Sequence, residues 1–234
     1  MAVDTLIAAL AARAHNPEVA TDLGAGVRAL GRDGQPVPAP FVARPVATEA
    51  AIAAAEAALG FPLPALLKRL YLEVGNGGFG PGYGLLGVPS GAPGETRETA
   101  LSLYQEQRDA VDEPRAAEEA AIPPLAWPER LLPICDWGCA IYSAIDCGRP
   151  EVPVCRYDPN ALDEHAETPE ATDAMVLLPE RESLAAWLQA WLDGEDLWEA
   201  LDDLYEQRSP HAIALLLGGM AAKGTNGVGD HDDD

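Results

Sequence analysis

The sequence predicts an α+β domain, a mixed, mainly antiparallel sheet covered by helices, with helical extensions at both ends. Three stretches lead there. Residues 48–78 read as two short helices separated by a proline break and closed by a glycine turn. Residues 131–157 alternate apolar runs with turn residues, which is the pattern of a strand meander. Residues 183–194 then return to helical spacing, with Leu184, Trp187, Leu188 and Trp191 on one side.

Taken in order, Val3, Leu6, Ile7 and Leu10 mark an amphipathic helix over residues 3–14. The opening lacks a positive n-region and carries Asp4 in its first turn, which argues against a targeting segment. A Gly- and Pro-bearing stretch follows, with a hairpin expected around Asp33-Gly34. Residues 1–44 are taken as an extension packed on the main domain, which spans 45–194. Leu59-Gly60 closes the first helix of that domain, because Gly accepts the left-handed conformation after a helix. Pro64 opens the second, where a missing amide proton costs nothing. Leu66, Leu67, Leu70 and Val74 give this helix one apolar stripe, and Gly75-Asn76-Gly77-Gly78 stops it.

A strand is expected over 83–88, then a loop, then a helix over 96–111 with Leu101, Tyr104, Arg108 and Val111 on one side. Residues 112–130, acidic and then proline-rich, read as a surface connection. The sheet is expected from 131–135, 139–147, 152–157 and 174–178, with turns at Asp136-Trp137-Gly138 and Gly148-Arg149-Pro150. Strand period places Cys139, Ile141, Ser143 and Ile145 on one face, and Tyr142 and Asp146 on the other. Ser183 is a good N-cap for the helix that Gly194 ends. Leu197, Trp198, Leu201, Leu204 and Tyr205 outline a further helix, and 212–220 a last apolar one, so 195–222 form C-terminal helices. Residues 223–234 are an acidic, glycine-rich tail with nothing to bury, expected to be disordered.

Charge is the outlier of the composition. Among 234 residues, 38 acidic against 15 basic side chains give a net charge of -23. That balance disfavours both nucleic-acid phosphates and anionic membranes as partners. No apolar run approaches the ~18 residues that span a bilayer, so the expected location is the cytoplasm. A strongly basic protein would, in contrast, be attracted over long range. The acid is concentrated: 158–206 hold 15 Asp or Glu and a single basic residue, Arg181. Two readings fit, a solvated acidic face or a docking surface for a basic partner. Under the second, Asp196, Glu199, Asp202, Asp203 and Glu206 are the docking residues, on the exposed side of the helix after Gly194.

Catalytic and cofactor chemistry finds little footing. Gly75 to Gly80 satisfy G-x-G-x-x-G, but a helix precedes the string and a strand follows it. A dinucleotide site needs the reverse order, so that phosphate meets a helix N-terminus, and the nucleotide reading is rejected. Cys135, Cys139, Cys147 and Cys155 fall within 21 residues. Four thiolates have the chemistry for tetrahedral zinc, yet there is no C-x-x-C knuckle, and cysteine in a sheet also serves as a small buried hydrophobe. A disulfide between Cys147 and Cys155 is disfavoured in a reducing compartment. His15, His165, His211 and His231 stand in unrelated contexts. Asp136 and Asp146 could form an acid–base pair, but a turn role for Asp136 and a strand-end hydrogen bond for Asp146 are favoured. Trp137, Trp187, Trp191 and Trp198 are core or groove-lining residues, and an exposed one would be a partner anchor.

Three groups of residues resemble one known family. Glu56-Ala57-Ala58-Leu59-Gly60, Leu63-Pro64, Leu67, Tyr71 and Asn76-Gly77-Gly78 form the first group. Leu132 to Cys139, with Trp137-Gly138 and Asp146 downstream, form the second, and Ser183 to Leu188 the third. In this order they are similar to the SUKH superfamily, named after the Smi-one and Knr-four cell-wall regulators of yeast. The resemblance implies an α+β fold and a structural role for Glu56, Gly60, Pro64, Asn76, Gly77, Gly78, Trp137, Gly138 and Asp146. For bacterial members it implies a non-enzymatic, cofactor-free immunity role against a toxin. A basic nuclease toxin would suit the acidic surface. Eukaryotic relatives imply the alternative, a regulatory or scaffold module for an endogenous protein. A metal-dependent enzyme using the Cys or Asp cluster is the remaining rival.

Overall fold

The computed structural model describes residues 2–22, 42–90, 98–109, 127–159 and 176–200, and the backbone of 29–30 and 36–37. Helix α1 (Val3–Ala14) buries Leu6, Ile7, Leu10 and Ala14, whereas Val3, expected on the same stripe, is exposed. Strands β1 (Ala29–Leu30) and β2 (Pro36–Val37) pair antiparallel, the arrangement expected around Asp33-Gly34. Helix α2 (Glu49–Leu59) starts where the Thr48 hydroxyl accepts from the Ala51 amide at 3.1 Å, and it ends at Gly60 with φ +80°. The Glu56 carboxylate at its far end accepts from the Leu63 amide at 2.7 Å and the Lys68 ammonium at 2.9 Å. Helix α3 (Ala65–Arg69), with Pro64 at its N-cap, runs on into a wider π turn over Leu70–Val74. Leu67, Leu70, Tyr71 and Val74 form the buried stripe, and Leu66 is only half-buried.

Helix α4 (Ala100–Asp109) is shorter than the expected 96–111, of which 96–97 and 110–111 lie outside the described residues. Its buried residues are Ala100, Leu103 and Tyr104, with Leu101 turned half outward. The sheet order is β3 (Leu131–Gly138), β4 (Ile141–Asp146), β5 (Val154–Tyr157) and β6 (Leu177–Arg181), every pairing antiparallel. Helix α5 (Leu184–Asp193) is capped by the Ser183 hydroxyl at its start and by Gly194, φ +80°, at its end. It buries Leu184, Trp187, Leu188, Ala190 and Trp191, while α1 packs against both α5 and the π turn. One core joins the helices and the four-stranded sheet, and each fully buried Leu in it contributes about 1.5–3 kcal/mol.

The α+β class holds, and four local expectations are corrected. Residues 83–88 are not a ladder strand: only Leu85 bridges to Cys135, since the Phe79 carbonyl and the Gly78 amide take the backbone groups of Leu85, and side chains take those further on. The Tyr71 hydroxyl donates to the Leu86 carbonyl at 2.6 Å, and the Asn76 amide occupies both backbone groups of Val88. The first sheet turn is at Cys139-Ala140, not Asp136-Trp137-Gly138, because a bulge between Asp136 and Gly138 extends β3. Cys139 is therefore an exposed turn residue rather than a member of the Ile141 face. The sheet's fourth strand runs over 177–181, reaching past the expected 174–178, of which 174–175 lie outside the described residues, and its Glu180 pairs with Arg156. Trp127, placed by the sequence in a surface connection, is 1 % exposed and donates its indole N–H to the Leu131 carbonyl. Among the described residues, no helix is long and apolar enough to cross a membrane.

Candidate partner-binding site

The glycine turn after α3 fixes one flank of the site. Asn76 is buried, its Nδ2 donating to the Val88 carbonyl at 2.8 Å and its Oδ1 accepting from the Val88 amide at 2.9 Å. A side chain thus completes a strand-like pair that backbone alone would leave open. Gly77 has φ +80°, and a Cβ there would stand 2.4 Å from the Leu85 carbonyl oxygen. Neither position tolerates a larger residue, which gives the Asn-Gly-Gly run its physical meaning.

From this turn the chain reaches Gly82 and Tyr83. The Asp22 carboxylate accepts from the Gly82 amide at 2.8 Å and from the Trp191 indole N–H at 3.0 Å. Asp22 is at the surface, but its carboxyl is tucked inward, and this desolvation raises its pKa against the opposing hydrogen bonds from Gly82 and Trp191. The Tyr83 amide donates to the Asp136 carbonyl at 3.0 Å, and the Tyr83 ring stands over Gly138, where an added Cβ would meet it at 3.2 Å. Tyr83 is 43 % exposed.

The other flank rests on a buried ion pair. Strand period puts Arg156 on the same face as Ser143, and the bulged β5–β6 pairing brings Glu180 to it. Arg156 Nη2 donates to Glu180 Oε1 at 2.8 Å, with both side chains 2 % exposed. Glu180 also accepts from the Ser143 hydroxyl and the Trp187 indole N–H, each at 2.7 Å. The Arg156 guanidinium lies over the Trp137 ring at 4.1 Å and near the Trp198 ring at 5.5 Å, and it donates to the Leu197 carbonyl. Trp137 is held by its indole N–H on the Ser143 hydroxyl at 2.8 Å. Trp198 packs on Trp137 with ring centres 5.8 Å apart and is itself 42 % exposed.

Of the sequence-predicted docking residues, Asp196 and Glu199 lie on this arm and are exposed. Asp196 Oδ1 accepts from the Trp198 and Glu199 amides at 2.9 and 3.0 Å, so it starts the helical turn that carries Glu199. Asp202, Asp203 and Glu206, with the rest of 201–234, lie outside the described residues. Sequence reasoning did not single out Arg156, Glu180 or Tyr83. The available signal was an arginine at strand period on the apolar face of Val154.

The aspartates and cysteines do not converge. Asp136 pairs with Tyr142 and Asp146 with Leu131, four residues apart on β4, or about 13 Å along the strand. Each carboxylate instead accepts from an amide two residues on, Gly138 at 2.7 Å and Gly148 at 2.8 Å. The Cys135 thiol faces the Pro81 carbonyl at 3.1 Å, and Cys155 faces the Ala144 carbonyl on the opposite side of the sheet. Burial pushes the thiol of Cys135 well up, and burial with the Asp146 charge pushes Cys147 up to about 12. None of the four cysteines is in a disulfide. No group of three His, Cys, Asp or Glu able to hold a metal occurs among the described residues. His15 is exposed, and the other three histidines lie outside the described residues.

An antiparallel meander backed by helices and carrying a buried Asn-Gly-Gly turn defines an α+β domain. The model of the SMI1 / KNR4 family (SUKH-1) matches residues 46–190, and the chain belongs to that family. The family is known as immunity proteins in toxin systems, generally non-catalytic. A search of curated proteins gives no match. Helix α1 and the 195–200 arm lie outside the matched segment.

Proposed function

We propose that this protein is a non-enzymatic immunity protein that binds and neutralises a cognate toxin domain of basic surface, without turnover. Family membership supplies the class. The observation that carries the docking assignment is the exposed arm after α5, where Asp196 and Glu199 flank the half-exposed Trp198. A nuclease suits this surface, because a protein built to hold phosphates presents the opposite charge. Residues 45–194 are the folded family domain, 1–44 brace it, and 195–222 supply the docking arm. The protein acts in the cytoplasm, where its cysteines stay reduced.

The test reverses charge on the arm. A variant with Glu199→Lys, Asp202→Lys and Asp203→Lys is expected to bind the cognate domain at least about tenfold more weakly, mainly through a slower on-rate. Binding rates and affinity would be measured by surface plasmon resonance against the cognate toxin domain. Unchanged affinity at low salt would remove these residues from the interface.

A further inference from the structure

The exposed aromatic rings say more than the charge does. Of the five exposed large hydrophobic side chains among the described residues, the only two aromatics, Tyr83 and Trp198, both abut the Trp137–Gly138 end of β3. We infer that a basic partner docks by placing arginine side chains on the exposed rings of Trp198 and Tyr83, with the Asp196 and Glu199 carboxylates beside Trp198. This deepens the proposed function, since it rests on the partner being basic.

The backbone at Tyr83 and both the backbone and ring of Trp198 are held before any partner arrives. Tyr83 is fixed by its amide on the Asp136 carbonyl and by Gly82, which the Asp22 carboxylate anchors. A Cβ on Gly82 would lie 2.9 Å from Trp137, so this corner closes only with glycine. Trp198 is fixed by its amide on Asp196 and by its ring on Trp137. Groups held in this way lose little freedom on binding. The neighbouring hairpin tip is Cys139-Ala140, exposed and small, so it does not screen the rings.

Arginine is the residue these rings suit. On the inner side, the Arg156 guanidinium already lies over Trp137 at 4.1 Å, with its charge answered by Glu180. The outer side repeats the elements, aromatic faces with carboxylates beside them, and among the described residues no second cation is stacked there. A guanidinium stacks on such rings and is more weakly hydrated than an ammonium, so arginine exceeds lysine here. The chain's net charge of -23 draws a basic segment toward the surface, and the rings then select within it.

The full-length chain is titrated by calorimetry with an arginine–glycine peptide and a lysine–glycine peptide of equal length and charge. Saturable binding is expected, several-fold tighter for the arginine peptide, and about tenfold weaker in Trp198→Ala. Tyr83→Ser, which leaves the arm untouched, is expected to weaken binding as well, and far-ultraviolet dichroism checks that both variants are folded. No saturable binding, equal affinity for the two peptides, or full affinity in both folded variants would overturn the inference. So would concentration-dependent dimerisation abolished by Trp198→Ala, since the rings would then serve a second copy. A wild-type chain that shows the expected arginine selectivity yet fails to block the cognate toxin supports the arginine surface and removes only the immunity role.

Discussion

Arg156 and Glu180 meet at 2.8 Å from adjacent strands, both side chains almost wholly withdrawn from water. The pair is a hub: Ser143, Trp187 and Glu180 form one side, while Arg156, Trp137, Trp198 and Leu197 form the other. Removing one charge strands its partner in a site with little water, which costs about 3–5 kcal/mol. Glu180→Gln and Arg156→Met are each expected to destabilise by that amount in urea unfolding. The double variant Arg156→Met/Glu180→Met should cost clearly less than the sum, because neither charge is left alone. Additive losses would show that the two residues act independently.

Asn76 acts on Val88 as a second strand would. Asn76→Ala leaves both a buried amide and a buried carbonyl unpaired, for an expected loss of about 2–4 kcal/mol. Asn76→Asp keeps an acceptor for the Val88 amide but sets a second oxygen against the Val88 carbonyl. Its carboxyl should therefore be protonated more readily in the folded state than in the unfolded state. A folded-state pKa raised in this way adds stability that is present at low pH and lost as pH rises through it. Asn76→Asp should accordingly regain stability on acidification, relative to wild type, and Asn76→Ala should not. Parallel pH profiles for the two variants would refute the paired geometry.

The division between what the sequence revealed and what it hid follows from how local each cause is. Ser183, Gly60 and Gly194 act within a turn of their own position, and their caps are where the sequence places them. The meander was legible because turn residues punctuate apolar runs. Residues 83–88 misled because their apolar spacing suits a strand while distant side chains, Tyr71 and Asn76, take their backbone groups. The Cys139-Ala140 turn was hidden for another reason. Both residues have positive φ, 52° and 61°, which side chains of this kind seldom adopt, and no Gly or Asn advertises it. Within the site, Asp196 and Glu199 were legible as charge, whereas Tyr83 and Arg156 depend on pairings between segments far apart in sequence.

Arg13 ties helix α1 to helix α5. Its Nη1 donates to the Trp191 carbonyl at 2.6 Å, its Nε donates to the Val19 carbonyl at 2.9 Å, and the guanidinium lies 4.1 Å over the Trp191 ring. The Trp191 carbonyl, in the last turn of α5, already accepts from the Gly194 amide, and the cation on its second lone pair also complements the helix dipole. Arg13→Ala should lower stability by about 1–2 kcal/mol and speed proteolysis within 15–22. Arg13→Lys should restore only part, since an ammonium cannot serve two carbonyls while stacking. Full restoration by lysine would reduce the role of Arg13 to charge alone.

Glu56 gives the fold a pH dependence of known sign. Partial burial pushes its carboxyl up, but hydrogen bonds from Lys68 and the Leu63 amide, with the Lys68 charge, outweigh this and leave it below its ordinary value of 4.5. A lowered folded-state value means stability that is present above 4.5 and lost as pH falls through the folded value. Asp22 works the other way: its raised value adds stability at low pH that is lost as pH rises through the folded value. Wild-type unfolding curves therefore mix opposing contributions, and Glu56→Gln separates them. The amide keeps an acceptor for Leu63 and Lys68 but cannot titrate, and it should cost about 0.5–1.5 kcal/mol at neutral pH. That gap is expected to close as pH falls below 4.5, because the protonated carboxyl of Glu56 and the amide that replaces it are uncharged acceptors of similar shape. A gap that stays constant through this range would show that the Lys68 contact contributes nothing through charge.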